Sequence, residues 1–207
     1  MPKRSKSSGR WLREHATDEY VKRAQKEGWR SRAVYKLEEI QKSDHILKPG
    51  ALVIDLGTAP GAWSQYAARE IGPGGEVVAV DLLPMDAVPG VHFIQGDFRE
   101  QEILDRVLAH LGGRRADLVM SDMAPNLSGL DSVDQPRAMY LTELALDFAR
   151  QVLKPGGALL AKVFQGSGFE ALVRSARESF DEVRLRKPRA SRARSAEMYL
   201  LAKGFRL

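Results

Sequence analysis

The stretch that decides the fold is LVIDLGTAPGAW, residues 52–63. An apolar run of the strand type is followed by Asp55, Gly57, Pro60 and Gly61, and then by residues that can begin a helix. Glycine lets the backbone turn sharply and approach a ligand without a Cβ in the way, and a helix that begins there directs free N–H groups toward the ligand. The stretch therefore predicts a strand, a turn and a helix that together hold a nucleotide-like cofactor.

The spacing of this turn distinguishes two kinds of cofactor. A dinucleotide fold has G-x-G-x-x-G at this point, whereas this chain has D-x-G-x-x-P-G, with Ala59 in place of the second glycine. The altered spacing argues against a pyrophosphate and favours a nucleoside that carries an amino acid, S-adenosylmethionine. Its charged amino end would pair with Asp55 or with the backbone of the turn. The alternative is a plain turn that joins a strand to a helix and binds nothing.

Length and composition predict the general class of the protein. The 207 residues, with a formal net charge of +5, suit a single α/β domain. There is no cysteine, and the four histidines lack the spacing of metal ligands, so we expect no disulfide, no thiolate nucleophile and no metal site. Neither a signal peptide nor a long apolar run occurs, which predicts a cytoplasmic protein that makes no contact with a membrane. We also expect a monomer.

Positive charge gathers in two clusters. Residues 1–13 and residues 186–194 each contain five Lys or Arg side chains and no acidic residue. Such clusters are typical of contact with a phosphate backbone, and aromatic neighbours such as Trp11 and Trp29 would let bases stack. Each cluster could instead be an ordinary solvated surface. We expect residues 1–25 to form a basic, flexible, RNA-binding arm and residues 26–207 to form one domain.

Apolar runs and helical patterns alternate along the rest of the chain. Several runs are nearly continuous in apolar residues, as buried parallel strands are. They predict strands at 51–56, 76–81, 91–95, 116–121, 157–163, 181–186 and 197–203. This order indicates an α/β fold with a mostly parallel, doubly wound sheet, which binds ligands at the carboxyl ends of its strands. Residues 126–136, rich in turn formers, are expected to form a loop beside that crevice.

Acidic residues come at the ends of three successive predicted strands: Asp55, Asp81 and Asp97. Asp81 lies 24 residues beyond Gly57, close to the separation at which an acid accepts hydrogen bonds from ribose hydroxyls. Asp97 could accept a hydrogen bond from an adenine amino group while Phe98 packs near the ring, or it could be an ordinary turn aspartate. Together the three acids favour an adenosine cofactor.

Ionic residues also end the fourth and fifth predicted strands, at Asp122 and Lys162. A lysine in so apolar a strand is unusual, because lysine is seldom buried without a partner or a function, although its side chain could also reach solvent. Lys36 lies off the packed stripe of a helix predicted at about 31–42, and Glu197 begins the last strand. Periodicity alone therefore treats Lys36 and Glu197 as surface residues.

Four stretches together resemble the FtsJ/RlmE family of ribosomal RNA large-subunit 2'-O-methyltransferases. They are DLGTAPGAWSQ (55–65), SDMAPNLSG (121–129), KPGGALLAKVFQG (154–166) and RKPRASRARSAEMYLLAKGF (186–205). The resemblance covers nearly the whole chain. It implies the Rossmann-like methyltransferase fold, with seven strands of which the last is antiparallel and inserted in the sheet.

The resemblance also implies the site residues. The family's catalytic tetrad corresponds to Lys36, Asp122, Lys162 and Glu197, and its cofactor positions to Gly61, Trp63, Asp81, Asp97 and Asp122. With Asp55, Gly57 and Pro60 of the turn, and with Phe98, these positions make up the expected cofactor site.

The implied reaction transfers a methyl group from S-adenosylmethionine to a ribose 2'-hydroxyl, that of a uridine in the 23S RNA of the large (50S) ribosomal subunit. The enzyme would align the hydroxyl and receive its proton. Lys162 is the favoured proton acceptor, or it stays charged and orients the hydroxyl. The mechanism requires no metal.

Other substrates and other classes of protein remain open at this point. Relatives with the same tetrad act on transfer RNA or on the messenger cap. An RNA-binding ribosome-assembly factor without catalysis would not need the glycine turn and the three acids together. A nicotinamide dehydrogenase is disfavoured by the altered glycine spacing.

Overall fold

The computed structural model describes residues 18–125, 131–191 and 195–206, which contain six helices and seven strands. The strands are β1 (Leu52–Leu56), β2 (Glu76–Asp81), β3 (Val91–Gln95), β4 (Ala116–Ser121), β5 (Leu153–Phe164), β6 (Phe180–Arg186) and β7 (Glu197–Phe205). The helices are α1 (Glu19–Glu27), α2 (Val34–Asp44), α3 (Ala62–Ile71), α4 (Gln101–Leu111), α5 (Asp131–Val152) and α6 (Phe169–Ser179). None of these helices is long and apolar enough to cross a membrane.

All seven strands form one sheet in the order β3-β2-β1-β4-β5-β7-β6. The pairs from β3 to β5 are parallel, while β7 is antiparallel to both β5 and β6. The expected α/β architecture, with an antiparallel last strand inserted in a mostly parallel sheet, is confirmed. The inserted strand β7 brings the end of the chain into the middle of the molecule.

The sheet is covered on both faces, which explains its continuous apolar strands. One core cluster joins the sheet to α4, α5 and α6, and the other joins it to α1, α2 and α3. Successive residues of β1 contribute to opposite clusters, Val53 to one and Ile54 to the other, because side chains alternate across a strand. Because the strands β1 to β5 are parallel, their carboxyl ends lie at one edge of the sheet, and this edge is open.

Helix α1 changes the expected boundary of the basic arm. The Asp18 side chain caps this helix by accepting a hydrogen bond from the Tyr20 N–H (3.0 Å), and Gly28 ends it with a φ of 75°. Val21 and Ala24 are buried against the domain. The boundary predicted between residues 25 and 26 therefore falls inside a packed helix, whose short apolar stripe is easily missed. Residues 1–17 lie outside the described part of the chain, and RNA binding by them stays a prediction.

The prediction of a loop at residues 126–136 is wrong for its second half. Helix α5 begins at Asp131 and contains Pro136, while residues 126–130 lie outside the described ranges. Ser and Asp favour the first turn of a helix as well as turns, so a composition rich in them does not distinguish the two. Strand β5 also begins earlier than predicted, because Leu153 pairs with Ala116 ahead of a register shift.

Candidate active site

The four residues of the predicted tetrad come together at the open edge of the sheet. The Lys162 Nζ lies 2.9 Å from the Asp122 Oδ1, 2.9 Å from the Asp122 carbonyl oxygen and 3.7 Å from the Glu197 Oε2. The Lys36 Nζ lies 2.6 Å from the Glu197 Oε1. The tetrad is thus a continuous chain of alternating charge, from Asp122 through Lys162 and Glu197 to Lys36.

Sheet register explains this assembly. Ser121 at the end of β4 pairs with Ala161 of β5, so the residues that follow them, Asp122 and Lys162, are also neighbours. On the other side of β5, Phe164 pairs with Glu197 of the antiparallel strand β7. Lys36 arrives from α2, whose apolar face packs on the sheet. Strand pairing and helix packing therefore place four residues that are distant in sequence within one cluster.

Burial makes the charges of the tetrad depend on one another. Lys162 is only 8% exposed, and its ammonium is held by protein oxygens and does not extend to solvent. Burial alone would raise the pKa of the Asp122 and Glu197 carboxyls, but the charges of Lys162 and Lys36 outweigh it, and both pKa values lie below their ordinary range. Asp122 and Glu197 are therefore ionised at neutral pH.

Tyr199 is a further member of this cluster that the sequence reasoning missed. Its hydroxyl donates a hydrogen bond to the Asp122 Oδ1 at 2.6 Å and lies 3.4 Å from the Glu197 Oε1. Burial, and then the charges of the two carboxylates, raise the pKa of Tyr199 well above its ordinary value, so the phenol stays protonated and acts as a donor. The available signal was its position two residues after Glu197, since residues i and i+2 of a strand share a face.

The glycine turn, residues 57–61, connects β1 to α3 in the predicted way. Gly57 has a φ of 76°, and a Cβ there would lie 2.5 Å from the Met123 Cγ. Gly61 has a φ of 100°, forms the N-cap of α3, and would bring a Cβ against the Met85 sulfur. Glycine is therefore required at both positions by conformation and by the close approach of neighbouring side chains.

A first cavity of about 570 Å³ lies beside the glycine turn at the carboxyl ends of β1, β2, β3 and β4. This volume is in the range of small-molecule and cofactor sites. Five of the predicted cofactor residues line it, namely Gly57, Asp81, Asp97, Phe98 and Asp122. Because Asp122 also belongs to the tetrad, the cavity reaches the catalytic candidates directly.

The two acids of the first cavity already have protein partners. Asp81 accepts hydrogen bonds from the N–H groups of Ala59 and Leu83, both at 2.8 Å. Asp97 accepts bonds from the Arg99 side chain, and these bonds hold the pKa of Asp97 below its ordinary value. A carboxylate offers about four lone-pair sites, so Asp81 retains capacity to accept bonds from the hydroxyl groups of a ligand. Asp97 already accepts four contacts from the Arg99 backbone N–H, Nε and Nη2, so a ligand amino group would have to replace part of them.

The remaining predicted cofactor residues support the turn and do not line the first cavity. Trp63 is buried, donates from its Nε1 to the Ala33 carbonyl at 2.8 Å, and packs against the Tyr199 ring with centroids 5.6 Å apart. The carbonyl of Pro60, on the exposed side of the turn, accepts a hydrogen bond from Arg30. Direct ligand contact by Pro60, Gly61 and Trp63 stays a prediction.

Asp55 lies beneath the turn, fully buried at the end of β1. Its Oδ2 accepts a hydrogen bond from the Ser64 hydroxyl at 2.6 Å, and that hydroxyl lies 2.7 Å from the Thr58 hydroxyl. Its Oδ1 has no hydrogen-bond partner among the described residues. Burial raises the pKa of Asp55 to about 7. This placement favours a role in holding the turn over the predicted pairing with the amino end of a ligand.

A second cavity, of about 500 Å³, lies on the other side of the tetrad. Its lining includes Lys36, Glu197, Ser31, Arg32 and Ala190. Asp122 therefore faces the first cavity, Lys36 and Glu197 face the second, and Lys162 contacts carboxylates from both. A larger cavity, of about 770 Å³, lies at the opposite edge of the sheet beside Arg114 and contains none of the predicted site residues.

Metal ligation has no candidate in the described ranges. Among residues 18–125, 131–191 and 195–206, no three His, Cys, Asp or Glu side chains lie close enough together to hold an ion.

Comparison with known sequences identifies similar proteins along nearly the whole chain. The sequence pattern of the FtsJ-like methyltransferase family matches residues 29–205. A Marinobacter nauticus protein named ribosomal RNA large subunit methyltransferase E is 61% identical over 204 residues, which cover 99% of both chains. Proteins of the same name from Chromohalobacter salexigens and Legionella pneumophila are 62% and 58% identical, over 201 and 204 residues.

Solved structures agree on the fold. A Plasmodium falciparum protein described as a candidate ribosomal RNA methyltransferase superposes with a TM-score of 0.77 at 28% identity, covering 86% of this chain and 98% of that one. MycE, a methyltransferase of mycinamycin biosynthesis solved with Mg and SAH, has a TM-score of 0.54 at 13% identity, covering 83% of this chain and 46% of that one. At 13% identity the likeness concerns the fold alone.

Proposed function

Because the chain belongs to the FtsJ-like methyltransferase family, we propose that it transfers a methyl group from S-adenosylmethionine to a ribose 2'-hydroxyl of large-subunit ribosomal RNA. Its relatives named ribosomal RNA large subunit methyltransferase E, at 58–62% identity, support this substrate class. Within that class we propose a uridine of 23S RNA in the 50S subunit, which makes the reaction cytoplasmic. A single copy of the chain contributes the tetrad and both cavities, which favours a monomeric enzyme.

The observation that carries the proposal is the position of the tetrad between two cavities. Methyl transfer needs a donor and an acceptor that approach one reacting point from opposite sides. Asp122 lines the first cavity and Glu197 lines the second, while the Lys162 Nζ lies 2.9 Å and 3.7 Å from their respective carboxylates. We assign the first cavity to the methyl donor and the second to the nucleotide that carries the hydroxyl.

The residues of the first cavity fit S-adenosylmethionine. When bound, this cofactor supplies a methyl group on a positively charged sulfur, which is already a good electrophile. Asp81 offers acceptors for ribose hydroxyls, Asp97 would accept from an amino group in exchange for part of its contact with Arg99, and Phe98 offers an apolar surface for a base. The approach of Met123 to Gly57 leaves no room for a side chain at the turn, so the backbone itself forms that wall. Asp122 adds a negative charge on the side that faces the tetrad.

Lys162 is the group that we assign to the acceptor hydroxyl. Asp122 and Glu197 hold its ammonium between the two cavities, and Lys36 fixes Glu197 from the outer side. From there Lys162 either takes the hydroxyl proton or stays charged and orients the oxygen until the proton leaves. Arginine keeps the charge but cannot accept a proton, so the variant Lys162→Arg distinguishes the two roles. Residual methylation by that variant would favour orientation.

The test of the proposed function is Lys162→Ala. We expect turnover to fall by about a thousandfold or more, because the group that handles the hydroxyl proton is lost. Cofactor affinity, measured by calorimetric titration, should stay within about threefold, since Lys162 does not line the first cavity. Lys154→Ala is the matched control, because Lys154 lies at the other end of β5 and pairs with Asp117 at 2.5 Å. Near-normal methylation by Lys162→Ala would contradict the proposal.

The substrate is tested with labelled S-adenosylmethionine and purified ribosomal particles, 23S RNA and transfer RNA. A 2'-O-methyl group makes the adjacent linkage resistant to alkali, so alkaline digestion locates the product. Label in alkali-resistant dinucleotides of the 50S subunit or of 23S RNA supports the proposal. A methylated base, or label in transfer RNA alone, would contradict it, and absence of cofactor binding would favour an assembly factor without catalysis.

A further inference from the structure

Arg30, in the segment between α1 and α2, connects two loops of the first cavity. Its Nη1 donates hydrogen bonds to the carbonyls of Pro60 (3.2 Å) and Asp86 (2.7 Å), and its Nη2 donates to the carbonyl of Ala87 (2.8 Å). Pro60 belongs to the glycine turn after β1, whereas Asp86 and Ala87 belong to the loop after β2. One guanidinium group therefore bridges two separate backbone segments.

The main chain at Arg30 is itself fixed to helix α3. The Arg30 N–H donates to the Gln65 Oε1 at 3.2 Å, and the Gln65 Nε2 donates to the Gly28 carbonyl at 3.0 Å. The Arg30 side chain also lies against the turn, since a Cβ at Gly61 would be 3.1 Å from its Nη1. The bridge consequently begins at a fixed point of the domain, in contact with the helix that follows the glycine turn.

The loop that Arg30 holds forms a wall of the first cavity. Residues 82–90 contain no helix or strand, and their Leu82 and Leu83 line the cavity although both are about 60% exposed. The Asp81 carboxylate holds the near end of this loop through the Leu83 N–H. At the far end, the Arg30 bonds to Asp86 and Ala87 tie the loop to the glycine turn. These bonds add to the contact of the Met85 sulfur with the turn and to the Asp81 carboxylate, which accepts from the N–H groups of both Ala59 and Leu83.

We propose that Arg30 is a positioning residue of the cofactor site, which ties the loop after β2 to the glycine turn so that the first cavity is formed before the cofactor binds. The proposal rests on the proposed function in taking S-adenosylmethionine as the ligand. A site held in its binding conformation loses less conformational entropy on binding, so the bridge raises affinity without touching the ligand.

Contact with an RNA phosphate is the competing role for an arginine in this region. The structure favours the bridge, because two of the guanidinium nitrogens already donate to three backbone carbonyls. The two roles also differ in what lysine can replace. Lysine supplies a positive charge for a phosphate but lacks the planar fork that reaches several carbonyls at once. If Arg30 acts as the bridge, Arg30→Lys should therefore lose the same function as Arg30→Ala. If Arg30 instead binds a phosphate, Arg30→Lys should behave like the unaltered chain.

The experiment compares Arg30→Ala, Arg30→Lys and Arg115→Ala with the unaltered chain. Arg115 is the matched control, because it is an exposed arginine that also donates to a backbone carbonyl, that of Gln151, at the opposite edge of the sheet. Binding of S-adenosylhomocysteine is measured by calorimetry, and binding of 23S RNA is measured without cofactor over a range of salt. Amide hydrogen exchange of residues 82–90 is measured in the protein without ligand.

We expect both Arg30 variants to weaken S-adenosylhomocysteine binding by at least about tenfold, because charge-assisted hydrogen bonds are lost. Exchange of the amides in 82–90 should rise by a similar factor, while Arg115→Ala changes neither quantity. RNA affinity without cofactor should stay within about twofold. Unchanged cofactor affinity, unchanged exchange or full rescue by lysine would each overturn the proposal, as would a loss confined to RNA binding with a smaller salt slope. If the unaltered chain bound no S-adenosylhomocysteine, the proposed function would fail, while the exchange data would still test the bridge.

Discussion

Tyr199 fixes the position of Asp122, and through Asp122 it affects Lys162. Its phenol donates to the Asp122 Oδ1 at 2.6 Å, and the Lys162 Nζ contacts the same oxygen at 2.9 Å. The Tyr199 ring is held in turn by Trp63, on the helix that follows the glycine turn. Tyr199 thus connects the helix of the cofactor site to the residue that we assign to the acceptor hydroxyl.

Tyr199→Phe should lower kcat about tenfold and move the acid limb of the kcat profile to higher pH. The Asp122 pKa lies below its ordinary value, so the carboxylate stays ionised until the pH falls through that low pKa. Loss of the Tyr199 donor removes one stabiliser of the ionised form, so the pKa rises and activity is lost at a higher pH than in the unaltered enzyme. Because an ordinary Asp titrates near a pKa of about 3.9, methylation rates measured from about pH 3 to pH 9 check this.

Tyr66→Phe is the control for this prediction, since Tyr66 is also buried but its ring packs against Trp29 and not against the tetrad. Its pH profile should be unchanged. An unshifted acid limb in Tyr199→Phe, with kcat near normal, would show that the Asp122 charge does not depend on the phenol.

The unit of β1, glycine turn and α3 supplies the backbone wall of the first cavity. Gly57 donates its N–H to the Val80 carbonyl at 2.8 Å, so the turn is fixed to the end of β2 as well as to β1. The Asp55, Ser64 and Thr58 side chains hold it from beneath. These bonds make the turn a rigid surface, and its shape depends on the missing side chain at Gly57.

Gly57→Ala should weaken binding of S-adenosylmethionine by more than about tenfold, because a Cβ there would meet Met123 and displace the cavity wall. Gly28→Ala is the matched control, since Gly28 has a φ of 75° against 76° for Gly57 and nothing within 4 Å of an added Cβ. Gly28→Ala should lose about 1 kcal/mol of folding free energy from the left-handed backbone, and Gly57→Ala should lose more because of the contact with Met123, both measured by urea unfolding. Equal cofactor affinity in the two variants would show that the close approach of Met123 has no role in binding.

The second of the two basic clusters has side chains that bind other parts of the fold. In the second cluster, residues 186–194, Arg186 donates to both Asp44 oxygens (2.7 and 2.6 Å), and Lys187 donates to the carbonyls of Ser195 and Glu197. Arg192 and Arg194 lie outside the described ranges. Arg186 therefore stabilises the fold at least in part, which leaves the first cluster, residues 1–13, as the stronger candidate for RNA contact.

Removal of residues 1–13 should weaken RNA binding and reduce its dependence on salt. The deleted segment carries five positive charges, and each phosphate contact contributes about 0.7–0.9 to the slope of log K against log salt. The domain should stay folded, because α1 begins later, at Glu19, and an ion pair of 2.7 Å between its capping residue Asp18 and Arg32 holds that end of the helix.

The control for the deletion is a full-length chain in which the five basic residues are replaced by Gln. Its salt slope should fall as far as that of the deletion if charge is responsible. The same melting temperature in all three proteins excludes unfolding as the cause. An unchanged slope in both altered chains would contradict RNA binding by the arm.

Local features of the sequence determined the α/β class, the order of the elements and the glycine turn. Strands buried on both faces are continuous apolar runs, and a strand, turn and helix around Gly57 and Gly61 need only residues close in sequence. The predicted bounds of β2, β3 and β4 agree with the structure, and β1 differs by one residue. The acids Asp81 and Asp97 were found in the same way, because strand ends can be located in the sequence.

Only the tertiary structure decided how the functional residues meet. Periodicity treats Lys36 and Glu197 as surface charges, and resemblance to a family was needed to single them out. The contact of Glu197 with Lys162, and through Glu197 that of Lys36 with the tetrad, depends on the insertion of β7 beside β5, which pairs residues more than thirty positions apart. The Tyr199 hydrogen bond also depends on this insertion, and the Arg30 bridge likewise joins segments that are distant in the sequence. The hydrophobic pattern of the sequence indicates which residues lie inside. The pairing between distant segments, however, depends on the packing of the whole chain. That packing brings Lys36, Tyr199 and Glu197 together in one site.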